Sequence, residues 1–162
     1  MKIKAIFLMI FIFSPLTLFA GTSTCPLSNG INVHTSKKIL NICKNGSVIK
    51  AFKVALGYKG VGKKYAGDNK TPIGVYRLAH PRRSNQFKVF IPILYPTQKQ
   101  RAAGYTGRDV GIHGPTQSSK WVGWLNNLPY STRGCIAVGK NNQIEYVANW
   151  VKANPGTKVL II

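Results

Sequence analysis

The sequence predicts a mainly β domain with one substantial α-helix near its C-terminus. Three observations carry this. Polar and apolar residues alternate with a period of two along much of the chain, glycine and proline clusters interrupt it at short intervals, and only residues 141–154 show an apolar stripe of helical period. No internal repeat or low-complexity tract is present.

The first structured stretch, "INVHTSKKILNICKNGSVIKAFKVALG", alternates around Asn45-Gly46, a dipeptide suited to a two-residue hairpin turn. Two antiparallel strands are expected there, with Phe52, Val54 and Leu56 on one face and Lys53 and Ala55 on the other. "GYKGVGKKYAGDNKTP" follows, too rich in turn formers to be an element and long enough to be a functional loop. Asp68 within it reads as a turn residue holding its own backbone. "IGVYRL" and "FKVFIPILY" are strand candidates, and Pro92 makes the second an edge or a bulge. "DVGIHG" reads as a short strand ending at His113, and "GCIAV" as another starting at Cys135. The helix "NNQIEYVANWVKAN" opens with Asn142 and Glu145 in capping-box spacing. It carries Ile144, Val147, Ala148 and Val151 on one face and stops at Asn154-Pro155-Gly156. "TKVLII" closes the chain as a strand.

The chain begins "MKIK", continues into an apolar run shorter than a membrane span, and reaches a small residue at Ala20. Residues 1–20 therefore read as a secretory signal and residues 21–30 as an N-terminal extension, with the domain itself over 31–162. An uncleaved anchor is the alternative, because Leu18 is bulky for its place before the cut. Thr22 stands where a lipoprotein signal would have leucine, which argues against a lipidated Cys25. After cleavage about 140 residues remain, enough for one core, and no stable membrane span is left.

With 23 basic and 3 acidic side chains, the formal charge is +20. Such a surface attracts anionic cell-envelope polymers by charge. The bases are scattered rather than clustered, which argues against specific nucleic-acid binding. Asp68, Asp109 and Glu145 are the only acids, which leaves little for a glycosidase needing two carboxylates across one bond. His34, His80 and His113 show no metal-ligand spacing, so neither a metal nor another cofactor is implied.

Cys25 and Cys43 are close enough to bridge in an oxidising compartment, which leaves Cys135 as the odd thiol. A cysteine acts as a nucleophile when a base or a positive environment favours its thiolate. His113, at the end of one candidate strand, supplies a base, and Arg133 adds charge next to Cys135. Gly134 lets the backbone approach a carbonyl, so the amides of Arg133, Gly134 and Cys135 are candidate oxyanion donors. Acyl transfer through a thiol needs little more, although a lone cysteine is more often a small buried hydrophobe. Trp121, Trp124 and Tyr130 suit either a peptide-binding wall or core packing, and Tyr95-Pro96 is a candidate border of the same cleft.

"IHGP" followed by "TRGCIAV" resembles the signature of the YkuD-type L,D-transpeptidases, a His-Gly followed by Ser/Thr-x-Gly-Cys. The resemblance extends through "GYKGVGKKYAGDNKTPIGVYRL" and the helix after the cysteine, over roughly residues 31–162. It implies a β-sandwich-like catalytic fold, action on the peptide stems of peptidoglycan, Cys135 as the acylated nucleophile and His113 as the general base. Gly114 would supply the carbonyl that steadies the imidazole, with Thr132 at the Ser/Thr position and Gly134 in the oxyanion loop. The chain departs from the pattern at Arg133, where many members have a second histidine, and at Ala137, where many have arginine.

The function expected is that of an exported L,D-transpeptidase, resolving a Cys135 thioester with an amine of a neighbouring stem. An L,D-carboxypeptidase, or a hydrolase of a protein–peptidoglycan link, would use the same nucleophile with water. The reading from another class is a secreted cationic binding module with an inert cysteine.

Overall fold

A computed structural model of the chain describes residues 25–117 and 130–162. The expected signal segment, Trp121 and Trp124 lie outside them. The fold is mainly β, a curled sheet with one long helix near the C-terminus.

Strands β1 (Gly30–His34), β2 (Ile39–Lys44) and β3 (Ser47–Gly57) form an antiparallel meander. The sequence suggested two strands here. The missed turn is Thr35–Lys38, closed by a bond from the Lys38 amide to Thr35 O with Lys38 in the left-handed region, φ 53°. It lacks the glycine or asparagine that usually marks such a bend. The expected hairpin turn at Asn45-Gly46 is present, both residues having positive φ.

Strands β4 (Gly74–Arg77), β5 (Arg82–Ser84), β6 (Lys88–Pro92), β7 (Gly111–His113), β8 (Tyr130–Thr132), β9 (Ile136–Val138) and β10 (Lys158–Ile161) complete the set. Their order is β4-β10-β1-β2-β3-β9-β7-β6-β5, with β8 beside β3. Strand β3 is the joint: its first part pairs with β2, and Val54 and Ala55 pair with β9. The curl thereby surrounds one core, to which Ile31, Leu40, Leu56, Ile112, Ile136 and Ile161 all contribute. Ala55, expected on the polar face, is buried because both faces of this half of β3 are covered.

"FKVFIPILY" is not one strand. Pro92 ends β6, beyond the reach of the outer strand β5, and only a single bridge, Leu78 to Ile93, continues the pairing. A short helix, α1 (Gln98–Ala102), follows the cis Tyr95-Pro96 bond and is boxed by reciprocal bonds between Thr97 and Gln100.

Helix α2 (Asn141–Ala153) buries the expected stripe, Ile144, Val147, Ala148 and Val151. Its start differs from the sequence reading. Lys140 is the N-cap, and the Gln143 side chain accepts from the Lys140 amide, whereas Glu145 instead pairs with Lys88 at 2.5 Å. Cys25 and Cys43 are joined by a disulfide that ties the start of the described chain to β2.

Candidate active site

Parallel pairing of β7 with β9 sets Ile112 opposite Ile136 and His113 opposite Ala137. Side chains alternate along a strand, so Cys135, two residues before Ala137, shares a face with His113. The two are diagonal neighbours, and both line a cleft of about 680 Å³ with Thr132, Arg133, Phe87 and Asp109. Ala137, directly opposite His113, lines the same cleft.

His113 is buried, with its ring stacked on Phe87 at 3.8 Å between centroids and flanked by Phe90. Nδ1 lies 2.7 Å from Gly114 O. A carbonyl only accepts, so Nδ1 carries the proton and Nε2 keeps its lone pair. Burial pushes the imidazole pKa below its ordinary value, against the opposing pull of the Gly114 carbonyl. The ring is neutral at pH 7 and able to take a proton. Gly114 must be glycine for this packing, because a Cβ would stand 2.7 Å from Ile144 Cγ2 on α2.

Cys135 is partly exposed on the cleft floor, and its thiol donates to Asp109 O at 3.6 Å. Burial lifts the thiol pKa. A bond from the Gly111 backbone and the charge of Lys63 pull it down, and Asp109 opposes them. The resting pair is thus thiol and neutral imidazole rather than a preformed ion pair.

The turn from Thr132 to Cys135 is braced internally. The Thr132 hydroxyl donates to Cys135 O at 2.7 Å and accepts from the Gly134 amide at 3.1 Å. The Gly134 amide, one of the three expected oxyanion donors, is thus taken up by Thr132. The requirement for Gly134 itself is conformational: φ is +121°, and a Cβ would lie 2.6 Å from Lys70 O. Arg133 projects outward at the rim.

Behind this turn runs Lys63, a residue the sequence did not single out. Its side chain is 4% exposed, with Nζ donating to Asp68 Oδ1 at 2.7 Å and to Tyr65 O at 3.1 Å. Asp68 also accepts from the amides of Lys64, Tyr65 and Lys70, so the polar loop is wound around one carboxylate. Lys63 Cδ passes 3.8 Å from the Cβ position of Gly134, which places a buried cation's stem under the turn that carries Cys135. Tyr95 is not a cleft residue. It is buried, and its hydroxyl donates to Lys63 O at 2.8 Å, buttressing the loop from behind. Among the described residues no group of three or more His, Cys, Asp or Glu is placed to hold a metal.

The L,D-transpeptidase catalytic domain family, YkuD, matches residues 28–161 of the chain. The chain belongs to this family. Among solved structures, the helical cell shape determining protein Pgp2 from Campylobacter jejuni is 26% identical with a TM-score of 0.66, over 86% of this chain and 50% of Pgp2. Bd1075 of Bdellovibrio bacteriovorus is 22% identical with a TM-score of 0.61, over 83% of this chain and 48% of that one. An Enterococcus faecium L,D-transpeptidase is 15% identical at TM-score 0.54, covering 83% and 50% respectively. The last two show the fold alone, and the chain spans about half the length of each of these structures. No curated protein matches the chain.

Of the residues the sequence nominated in this L,D-transpeptidase domain, the fold brings together Cys135, His113, Gly114, Gly134, Thr132 and Arg133. Tyr130 begins β8, and Trp121 and Trp124 lie outside the described residues. Phe87 and Phe90 were missed as imidazole supports. They stand three apart in "FKVF", a spacing that period two would split between opposite faces; Lys88 between them is in the left-handed region, φ 63°, the two rings stack, and the β6–β7 register sets Phe90 opposite His113.

Proposed function

We propose that this chain is an exported L,D-transpeptidase that acts on the peptide stems of peptidoglycan through a thioester at Cys135. The observation that carries the proposal is the shared face of His113 and Cys135, with Nδ1 committed to Gly114 O and Nε2 left basic. The stem carbonyl before the terminal D-residue enters the cleft. Nε2 takes the thiol proton as sulfur attacks, and the oxyanion that develops is met by the amides of Arg133 and Cys135. Collapse breaks the C–N bond, the proton on Nε2 passes to the leaving amine, and D-alanine departs. An amine of a neighbouring stem gives its proton to Nε2 and attacks the thioester, restoring the thiol and forming the cross-link.

Membership of the L,D-transpeptidase family supports the substrate class, because the family acts on these stems. The Cys25–Cys43 disulfide supports an oxidising compartment, and no helix among the described residues is long and apolar enough to cross a membrane. Pgp2 is a determinant of helical cell shape, a role that becomes a candidate here for the half of that protein the chain resembles.

The test is product analysis on purified disaccharide-tetrapeptide, with intact-mass measurement of the enzyme. A thioester adduct on wild type, none on Cys135→Ala, and cross-linked dimers are expected. Loss of D-alanine without dimers would replace the amine by water and make the chain a carboxypeptidase. Unchanged turnover in Cys135→Ala would remove Cys135 as the nucleophile, and neither adduct nor product from wild type would end the enzyme reading in favour of a cationic binding module.

A further inference from the structure

A second groove, of about 850 Å³, lies between the β5–β6 hairpin and helix α2. Arg82 and Ser84 line both this groove and the Cys135 cleft, so the two spaces share a wall. Arg82, Arg83, Lys88 and Lys152 face the groove, while Glu145 is the only acid among its described lining residues and is already held by Lys88 at 2.5 Å. Val89 and Ala148 give it an apolar floor. Arg82 is itself positioned by stacking over Phe90, 5.1 Å from the ring centroid, and Phe90 flanks His113.

We propose that this groove is a second binding site, one that takes the carboxylates of peptide stems adjacent to the stem that reacts. The inference rests on the function proposed above. A ligand lying in both spaces must be extended, and the excess of cations requires it to be anionic on the groove side. Guanidinium forks suit carboxylates. The polymer whose stem enters the cleft supplies them, since each peptide stem that is not cross-linked ends in one. A stem held in the groove stands beside the thioester, where an incoming acceptor is needed.

The probe is purified sacculi, native or with their carboxylates converted to amides, in co-sedimentation at fixed salt. Three proteins are compared: Cys135→Ala, the same with Arg83→Glu and Lys152→Glu, and the same with Lys37→Glu and Lys44→Glu. The last pair is exposed on the β1–β2 turn and the end of β2, and changes the net charge equally. Reversal in the groove should weaken binding to native sacculi about tenfold, and the control less than about twofold. Amidation should weaken Cys135→Ala by a similar factor and add little to the groove variant, as a shared interaction requires. Equal losses in groove and control variants would overturn the proposal, reducing it to general attraction. Binding that ignores amidation would overturn it as well. Thioester formation by wild type on isolated tetrapeptide is followed separately: its absence beside groove-dependent, amidation-sensitive binding would sink the catalytic reading and leave the carboxylate site standing.

Discussion

Replacing Asp68 with asparagine keeps the side chain's size and removes the charge against which Lys63 is buried. Burial alone would raise the Asp68 pKa, but the bond from Lys63 and those from the amides of Lys64, Tyr65 and Lys70 outweigh it and hold the carboxyl at about 2, down from 3.8. A folded-state pKa below the unfolded one means that the carboxylate stabilises the fold above about pH 4 and that this contribution is lost as pH falls from about 4 to about 2. The shift corresponds to about 2 kcal/mol. Asparagine keeps one acceptor oxygen and turns an NH2 group either to Lys63 Nζ or to the amides of Lys64 and Tyr65, so donors face a donor beside an uncompensated buried ammonium and the cost at pH 7 should be about 3 kcal/mol. Urea denaturation from pH 7 to pH 2, with the disulfide intact, measures both. Asp68→Asn should start lower, and wild type should lose about 2 kcal/mol more than the variant across the acid window. The pairs Lys88–Glu145 and Arg108–Asp109 are exposed and contribute little, and the loss from charging buried His113 as pH falls is common to both proteins, so the difference between them reads Asp68. An acid loss of the same size in Asp68→Asn would refute the reasoning. The same variant should acylate Cys135 more slowly at pH 7, because the stem of Lys63 underlies Gly134.

Because burial lowers the His113 pKa and raises that of Cys135, two reactions of one thiol should respond to pH differently. Alkylation by iodoacetamide, which needs thiolate, should rise with a midpoint above that of a free cysteine. Carbapenem acylation, which uses neutral His113 as base, should persist below the ordinary imidazole pKa of 6.5 and fall about 10²-fold or more in His113→Ala. Matching pH profiles would count against general-base transfer. Gly134→Ala should cut acylation about 10²-fold, since its Cβ meets Lys70 O and displaces the turn that carries the Cys135 amide; an unchanged rate in stopped-flow fluorescence would remove that amide from the mechanism. Cys25→Ser with Cys43→Ser should lower stability by about 3 kcal/mol, given the 18-residue separation, with the carbapenem acylation rate kept.

Local order and the family were largely legible in the sequence. The period-two stretches, Asn45-Gly46 and the stripe of α2 report interactions between near neighbours, so a strand, an I′ turn and an amphipathic helix leave marks within a few residues. His113 and Cys135, each beside a glycine, stood out as candidates for a similar reason, since few residue types can carry out thiol acyl transfer. What remained hidden depends on contacts between distant segments. The Thr35–Lys38 turn carries no glycine, and the β7–β9 register that puts His113 and Cys135 on one face is closed by packing on α2 and β3. Whether the Gly134 amide faces a substrate or Thr132 turns on one dihedral of a braced loop. Lys63 looks like one more solvated base in a chain of 23 Lys and Arg. Only the folded loop, wrapped around Asp68 and capped by Tyr95 from a distant segment, makes it a buried cation beneath the site. Side-chain identity could be read in order along the chain, while burial and the pairing of polar groups were decided by which segments came to lie against one another.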